Sequence, residues 1–361
     1  MTMGAGGPFA AQQQQGAAQP VHVQPGAAAP STPTQNPASP SARPQGDIRA
    51  RIRAETNLVV VPVTVKNRQG QIVGDLQRDE FRVLEDGVEQ KILSFSSEPF
   101  PLSAVVLIDN DLSQKSADQV QKSLMAIAGG FGSGDEAALV TYDQFPHIVS
   151  DFSFNNDDLF TQLKRLDLGS HFPGDAVGGP MTAGPVINGR AGDGTTPAIS
   201  APINAQTKDL DDALFAGAEM LKGRGRDRRK IIFLISDGNN SRHNEHSSAQ
   251  TLQTLLAADV SVYSISVGHA LLQHQTGRLE HYAGGTGGDV FFASKQKDLE
   301  KLYAGVTEQA RNQYTLTFNP EDIDRRRDYH TIEVRVGRAD LNVTAKQGYY
   351  QAAERAKQAA P

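Results

Sequence analysis

At 361 residues the chain is long enough for two folded units of roughly 100–200 residues, and no apolar run reaches the ~18 residues of a membrane-spanning helix. The absence of cysteine excludes disulfide frameworks, thiolate metal sites and a cysteine nucleophile. A net charge of −6 and the lack of tryptophan argue against a nucleic-acid partner held by general electrostatics or by base stacking.

Ala, Gly, Pro and Gln fill 32 of the first 47 positions, and the first charged residue is Arg43. Such a stretch buries too little apolar surface to offset the entropy of ordering it, so residues 1–50 are expected to form a disordered tail. The start also lacks a basic segment followed by an apolar core, so no secretion signal is expected in the sequence as written. From residue 55 the pattern turns to β. LVVVPVTV (58–65) is rich in β-branched residues, and Pro62 predicts that this strand lies at a sheet edge. FRVLEDGVEQKILSF (81–95) reads as a hairpin turning at Asp86-Gly87.

Residues 100–310 alternate strand and helix, which predicts a doubly wound, mostly parallel sheet covered on both faces. The strands are SAVVLID (103–109), AALVTYD (137–143) with a short partner at 148–154, KIIFLIS (230–236), VSVYSISV (260–267) and DVFFA (289–293). Helices are expected around Ala117–Ile127, over 155–166 with Asn155 or Asn156 as cap, from Leu210 to Leu221, over 249–258, and through Leu299, Leu302 and Val306. A Gly/Pro-rich loop at 167–206, with eight glycines and five prolines, interrupts the series. The basic run RGRDRRK (224–230) reads as a solvated connection, and His243 and His246 as surface residues. After Gln313, YTLTF (314–318) and HTIEVRV (330–336) alternate apolar and polar residues, as half-exposed antiparallel strands do. Segments 55–98 and 311–352 are therefore expected to build a flanking β-sandwich-like unit.

In open α/β sheets ligands bind at the carboxyl ends of the strands. The first core strand ends in DNDLS, where Asp109, Asp111 and Ser113 alternate along the backbone. The strand at 230–236 runs into Asp237. Oxygens gathered at neighbouring strand ends suit a hard divalent cation, Mg²⁺, Mn²⁺ or Ca²⁺; without a cation, converging carboxylates repel one another.

VLIDNDLS followed by LISDGNNS is similar to the von Willebrand factor type A (VWA) domain, whose metal-ion-dependent adhesion site (MIDAS) combines Asp-x-Ser-x-Ser, a later threonine and a later aspartate. The β segments on either side resemble those of bacterial VWA-related proteins described mostly from Acidobacteria, and the resemblance extends over about residues 55–352. It implies a VWA-like core with an Ig-like flank and a non-enzymatic, adhesion-type function in binding a protein partner, in an extracytoplasmic or cell-envelope setting. It also implies a metal site in which Asp109 and Ser113 match the motif, Asp111 replaces its first serine and Asp237 matches the late aspartate. The threonine's position falls on Lys208. Two outcomes are open: Thr207 or Asp209 substitutes after a small shift, or Lys208 points inward and its ammonium replaces the cation.

Two other functions compete. Asp-x-Asp-x-Ser after an apolar strand also resembles the first motif of haloacid dehalogenase-like phosphohydrolases, with Asp109 as nucleophile, Asp111 as acid/base, Ser236 on the phosphate and Lys295 as the required lysine. Against this, the strands at 260–267 and 289–293 end without paired carboxylates. The other alternative is a metal-independent scaffold.

Overall fold

The computed structural model describes residues 58–168, 186–187, 190–191, 208–268, 276–293, 295–320 and 328–350, all within one unit, Glu55–Pro361. The expected tail, most of the 167–206 loop and Thr207 lie outside the described residues.

The described residues open with β1 (Val59–Asn67), a 3-10 turn (Arg78–Glu80), β2 (Phe81–Glu85), β3 (Val88–Gln90) and β4 (Ile92–Ser96). The α/β series follows with β5 (Leu102–Asp109), α1 (Gln114–Ser123), α2 (Met125–Ala128), β6 (Glu136–Tyr142), β7 (Pro146–Ser153) and α3 (Asn156–Arg165). A two-residue pair, β8 (Val186–Ile187) and β9 (Arg190–Ala191), precedes α4 (Leu210–Lys222), β10 (Arg229–Ser236), α5 (Ser248–Ala257), β11 (Val260–Ser266), α6 (Gly277–Thr286), β12 (Val290–Phe292) and α7 (Gln296–Arg311). Four strands close the described chain: β13 (Tyr314–Phe318), β14 (Tyr329–Val336), β15 (Leu341–Ala345) and β16 (Gly348–Tyr350).

The central sheet has the order β12-β11-β10-β5-β6-β7. All its pairings are parallel except the last, where β7 runs antiparallel to β6. Every residue of β5, β6 and β11 is buried, as expected of strands sandwiched between helices. One face packs under Ala117, Val120, Leu124, Leu159, Tyr303 and Val306, and the other under Leu210, Leu214, Leu221, Leu255, Leu279 and Tyr282. Helices thus cover both sides. The chain lays β6 and β7 to one side of β5, then returns to lay β10, β11 and β12 to the other, so the order reverses between β5 and β10. A crevice opens at such a reversal, outside the carboxyl ends of the strands.

The helix ends follow local chemistry. The Asn155 side chain accepts from the Asp157 N–H at the start of α3, and Ser247 and Gln250 form a capping box on α5. Helix α6 was not anticipated: its sequence, GRLEHYAGGT, carries three glycines of low helical propensity. Packing explains it, because Leu279, Tyr282 and Ala283 are buried and a Cβ on Gly285 would press on Leu252 at 2.9 Å.

Outside this core, strands from both ends of the described chain pair into two antiparallel four-stranded sheets, β15-β1-β13-β4 and β16-β14-β2-β3. Val61, Val63, Phe81, Val83, Tyr314, Leu316 and Ile332 join them in one apolar cluster. The Asp86-Gly87 turn forms as read: Glu85 pairs with Val88 across two residues of positive φ, +47° and +85°. Pro62, however, does not mark an edge strand. β1 lies between β13 and β15, but the two neighbours share its length, β13 pairing over Val59–Val63 and β15 over Val63–Asn67. One side of Pro62 is therefore unpaired, and the strand accommodates a residue with no N–H.

The basic run 224–230 differs from its expected solvated state. Arg224 and Arg228 both reach the Glu136 carboxylate. Arg229 is 8% exposed and donates to the Gln313 carbonyl and to Thr315 Oγ1, 3.1 Å, with its guanidinium 5.2 Å from the Phe100 ring. Charges ahead of a buried strand are here used to join the core to the flanking sheets.

Candidate functional site

The last residue of β5, Asp109, is 0% exposed. Its Oδ1 accepts the Asp111 N–H at 3.0 Å, a turn that short carboxylate side chains favour. Parallel pairing sets Ile108 beside Ile235, so β10 delivers Ser236 and then Asp237 next to Asp109. Asp237 repeats the same local bond, Oδ1 accepting the Asn239 N–H at 2.9 Å. Between them Gly238 takes φ +80°, a left-handed conformation suited to glycine, and its N–H donates to Ser236 Oγ at 3.0 Å.

The second oxygen of Asp109 and both oxygens of Asp237 turn toward one atom, Lys208 Nζ. It donates to Asp109 Oδ2 at 3.0 Å, to Asp237 Oδ1 and Oδ2 at 3.1 and 3.0 Å, and to the Asp111 carbonyl at 2.7 Å. The Lys208 side chain is 4% exposed. Its backbone is pinned as well: the Lys208 carbonyl accepts the Ser241 N–H at 2.7 Å, and the Asp209 N–H donates to the Asp143 carbonyl at 2.8 Å. Behind Asp109, Tyr142 OH donates to Ser236 Oγ at 2.8 Å and Ser236 Oγ donates to Asp109 Oδ2 at 3.0 Å.

Burial pushes the Asp109 carboxyl up to about 6, against the pull of the Lys208 ammonium. Burial also works against the ammonium, but the Asp109 and Asp237 carboxylates outweigh it and hold Lys208 above the ordinary lysine range. Desolvation, with Asp109 nearby, keeps the Tyr142 phenol neutral.

Of the residues anticipated as ligands, the structure thus brings Asp109 and Asp237 together, and Asp111 joins them through its carbonyl. Ser113 is exposed, with its Oγ 3.0 Å from Ser116 Oγ. Asp209 faces Ser241, whose hydroxyl donates to Asp209 Oδ1. Thr207 lies outside the described residues. This donor set does not fit a divalent ion, because its oxygens converge on a point that an ammonium already fills. Among the described residues no group of three or more His, Asp or Glu is arranged to hold a metal.

Sequence reasoning missed the supports around the site. Asn240 Oδ1 accepts the Leu210 N–H at 2.8 Å and so caps α4. Asp211 is buried against Arg278, 2.7 Å, and Tyr282 OH, 2.6 Å. His246 is not a free surface residue: it stacks on Phe215 at 3.6 Å between centroids and lies 2.8 Å from Asp212. The KDLDD run was the one visible sign, and it did not identify the partners.

No protein-family model and no curated protein matches the chain. Among solved structures it is similar to a von Willebrand factor type A protein from Catenulispora acidiphila, at 8% identity and TM-score 0.44, over 84% of this chain and 76% of that one. It is similar to an aerotolerance-related membrane protein from Bacteroides fragilis, at 11% identity and TM-score 0.39, over 58% and 99%. It is also similar to proximal thread matrix protein 1 of the mussel byssus with a zinc-occupied MIDAS motif, at 16% identity and TM-score 0.41 over 63% of this chain. This last match spans about half, 49%, of the mussel protein. The fold described above stands on its own strand order and registers, not on these likenesses.

Proposed function

We propose that the chain is a non-enzymatic, VWA-type module that binds a protein partner at the carboxyl end of its parallel sheet. The observation that carries this reading is the convergence of Asp109 and Asp237 where the strand order reverses. Around it lie the DNDLS loop, the Lys208–Asp212 segment and the loop after Asp237, with Ser113, Gln114, Phe145 and Arg242 exposed nearby in sequence. Loops held by a rigid scaffold are where binding residues concentrate. The resemblance read from the sequence implies an extracytoplasmic setting, which is proposed with the function. Among the described residues no helix is long and apolar enough to cross a membrane.

The phosphohydrolase alternative needs an Asp109 oxygen free to attack phosphorus. Asp109 is 0% exposed; one oxygen receives the Asp111 N–H and the other receives Lys208 and Ser236. We expect no hydrolysis of an aryl phosphate in Mg²⁺; turnover abolished by Asp109→Asn would end the binding-module reading. A protein captured by the full chain should be released by Phe145→Ser and kept by Arg226→Ala, at the opposite end of the sheet. The reverse pattern would move the contact surface elsewhere.

A further inference from the structure

We infer that Lys208 is a resident cation: its ammonium occupies the place between Asp109 and Asp237 that a divalent ion would need, so the module works without metal and cannot grip a partner's carboxylate through one. This rests on the proposed reading of the site as a binding surface and adds how that surface operates.

An ammonium has three N–H groups and no acceptor. Those of Lys208 are engaged by the Asp111 carbonyl, Asp109 Oδ2 and the two oxygens of Asp237. None is left over for an incoming acid, and with a side chain 4% exposed no partner group reaches the nitrogen. A metal ion in such a place would hold water or keep an open position for a ligand; a tetrahedral nitrogen with its protons spent does not.

Charge leads the same way. Two carboxylates and one ammonium leave at most a single negative charge. An added divalent ion would meet an immobile positive charge within the same shell of oxygens, where the low dielectric of a buried site strengthens repulsion. Displacing the lysine is opposed by its backbone, which Ser241 and Asp143 hold through residues 208 and 209. The Asp209 carboxylate, the candidate ligand after a shift of the chain, is tied to Ser241. The tethered cation therefore joins the ends of β5 and β10 to the start of α4, and recognition passes to the exposed side chains of the surrounding loops.

The test titrates Mn²⁺ into the full wild-type chain, reading free Mn²⁺ by electron paramagnetic resonance and melting temperature in Mn²⁺ against chelator. Lys208→Thr, Asp237→Ala and the Lys208→Thr/Asp237→Ala double variant are run beside it. The wild-type chain should show no site tighter than about 1 mM that Asp237→Ala removes, and the same melting temperature with and without Mn²⁺. Lys208→Thr should gain Mn²⁺ uptake and a Mn²⁺-dependent rise in melting temperature, both lost in the double variant. If Lys208→Thr folds only in Mn²⁺, the ion has taken over from the ammonium and the inference is supported. Wild-type uptake abolished by Asp237→Ala would overturn it, and so would a folded Lys208→Thr that takes up no Mn²⁺. If that variant folds under neither condition, the wild-type titration with Asp237→Ala decides. Aryl phosphate turnover dependent on Asp109 would instead sink the binding-module reading while leaving this metal result as measured.

Discussion

Asp109 and Asp237 each accept the backbone N–H two residues further on with one carboxylate oxygen, and Lys208 is faced by the other oxygen of Asp109 and by both of Asp237. Removing the lysine leaves the buried Asp109 carboxylate without its counter-charge, and breaking a buried pair from one side costs about 3–5 kcal/mol. Lys208→Ala should therefore lower the urea midpoint of unfolding by far more than Lys222→Ala, whose partner Glu219 is exposed and whose pair is worth at most about 1 kcal/mol. Equal effects would show that the cluster contributes little. The two aspartates were legible because an apolar strand followed by a carboxylate fixes where the backbone delivers the side chain. Where Ser113 and Asp209 turn was not legible, because spacing locates a residue without orienting it. Short polar side chains take the nearest partner, here Ser116 and Ser241. Lys208 was readable only as one of two outcomes, since a long flexible side chain can point into the cluster or away from it.

Among elements, β6 begins with Glu136, which is buried and pairs with Ser103 Oγ at 2.6 Å, Arg224 Nε at 2.8 Å and Arg228 Nε at 3.4 Å. Burial alone would raise its pKa, but the bonds to Arg224 and Ser103 win and hold it below the ordinary 4.5. A carboxyl depressed in the folded state contributes stability that is present above its unfolded pKa and lost as pH falls through the folded one. The stability gap between wild type and Glu136→Gln should thus be widest near neutral pH and shrink below about pH 4.5, as read from urea midpoints along a pH series. A gap independent of pH would place the effect in packing instead. The α6–β12 connection makes a sharper steric demand: a Cβ on Gly288 would sit 1.9 Å from the Val262 carbonyl oxygen. Gly288→Ala must push backbone aside, and should cost about 3 kcal/mol or more, whereas Gly305→Ala, with nothing within 4 Å, should be neutral or slightly stabilising within α7. The strands of the core were legible from their unbroken apolar runs. Helix α6 was not, because tertiary contact rather than propensity sustains it, and the role of 224–230 was hidden because its carboxylate partner lies 88 residues away from Arg224.

For the whole molecule, the flanking sheets are attached to the α/β core at several separate points. Lys66 pairs with Asp289 at 2.5 Å, Lys346 with Asp259 at 3.1 Å, Gln313 Nε2 donates to the Gly287 carbonyl at 3.4 Å and the Gln347 N–H donates to the Gly285 carbonyl at 3.1 Å. Arg229 adds its bonds to Gln313 and Thr315 from inside the seam. With no tryptophan present, tyrosine fluorescence reports on both regions, through Tyr314 and Tyr349 in the sheets and Tyr263 and Tyr303 in the core. Its urea transition should coincide with that of far-ultraviolet circular dichroism, as one cooperative step requires. Two separated midpoints would mean that flank and core unfold independently.

The pairing of β1 with β13 and β15 bears on how the polypeptide is made. A ribosome releases Val59–Asn67 long before Tyr314–Phe318 and Leu341–Ala345 exist, so a valine-rich ribbon must wait, its hydrogen-bonding edges bare, through most of translation. Contacts of such long sequence separation form slowly, and an exposed β-prone segment is a nucleus for association between nascent chains. Premature termination anywhere before residue 314 leaves that ribbon permanently without either neighbour, and such fragments should depend on chaperones or aggregate even where the α/β portion is complete.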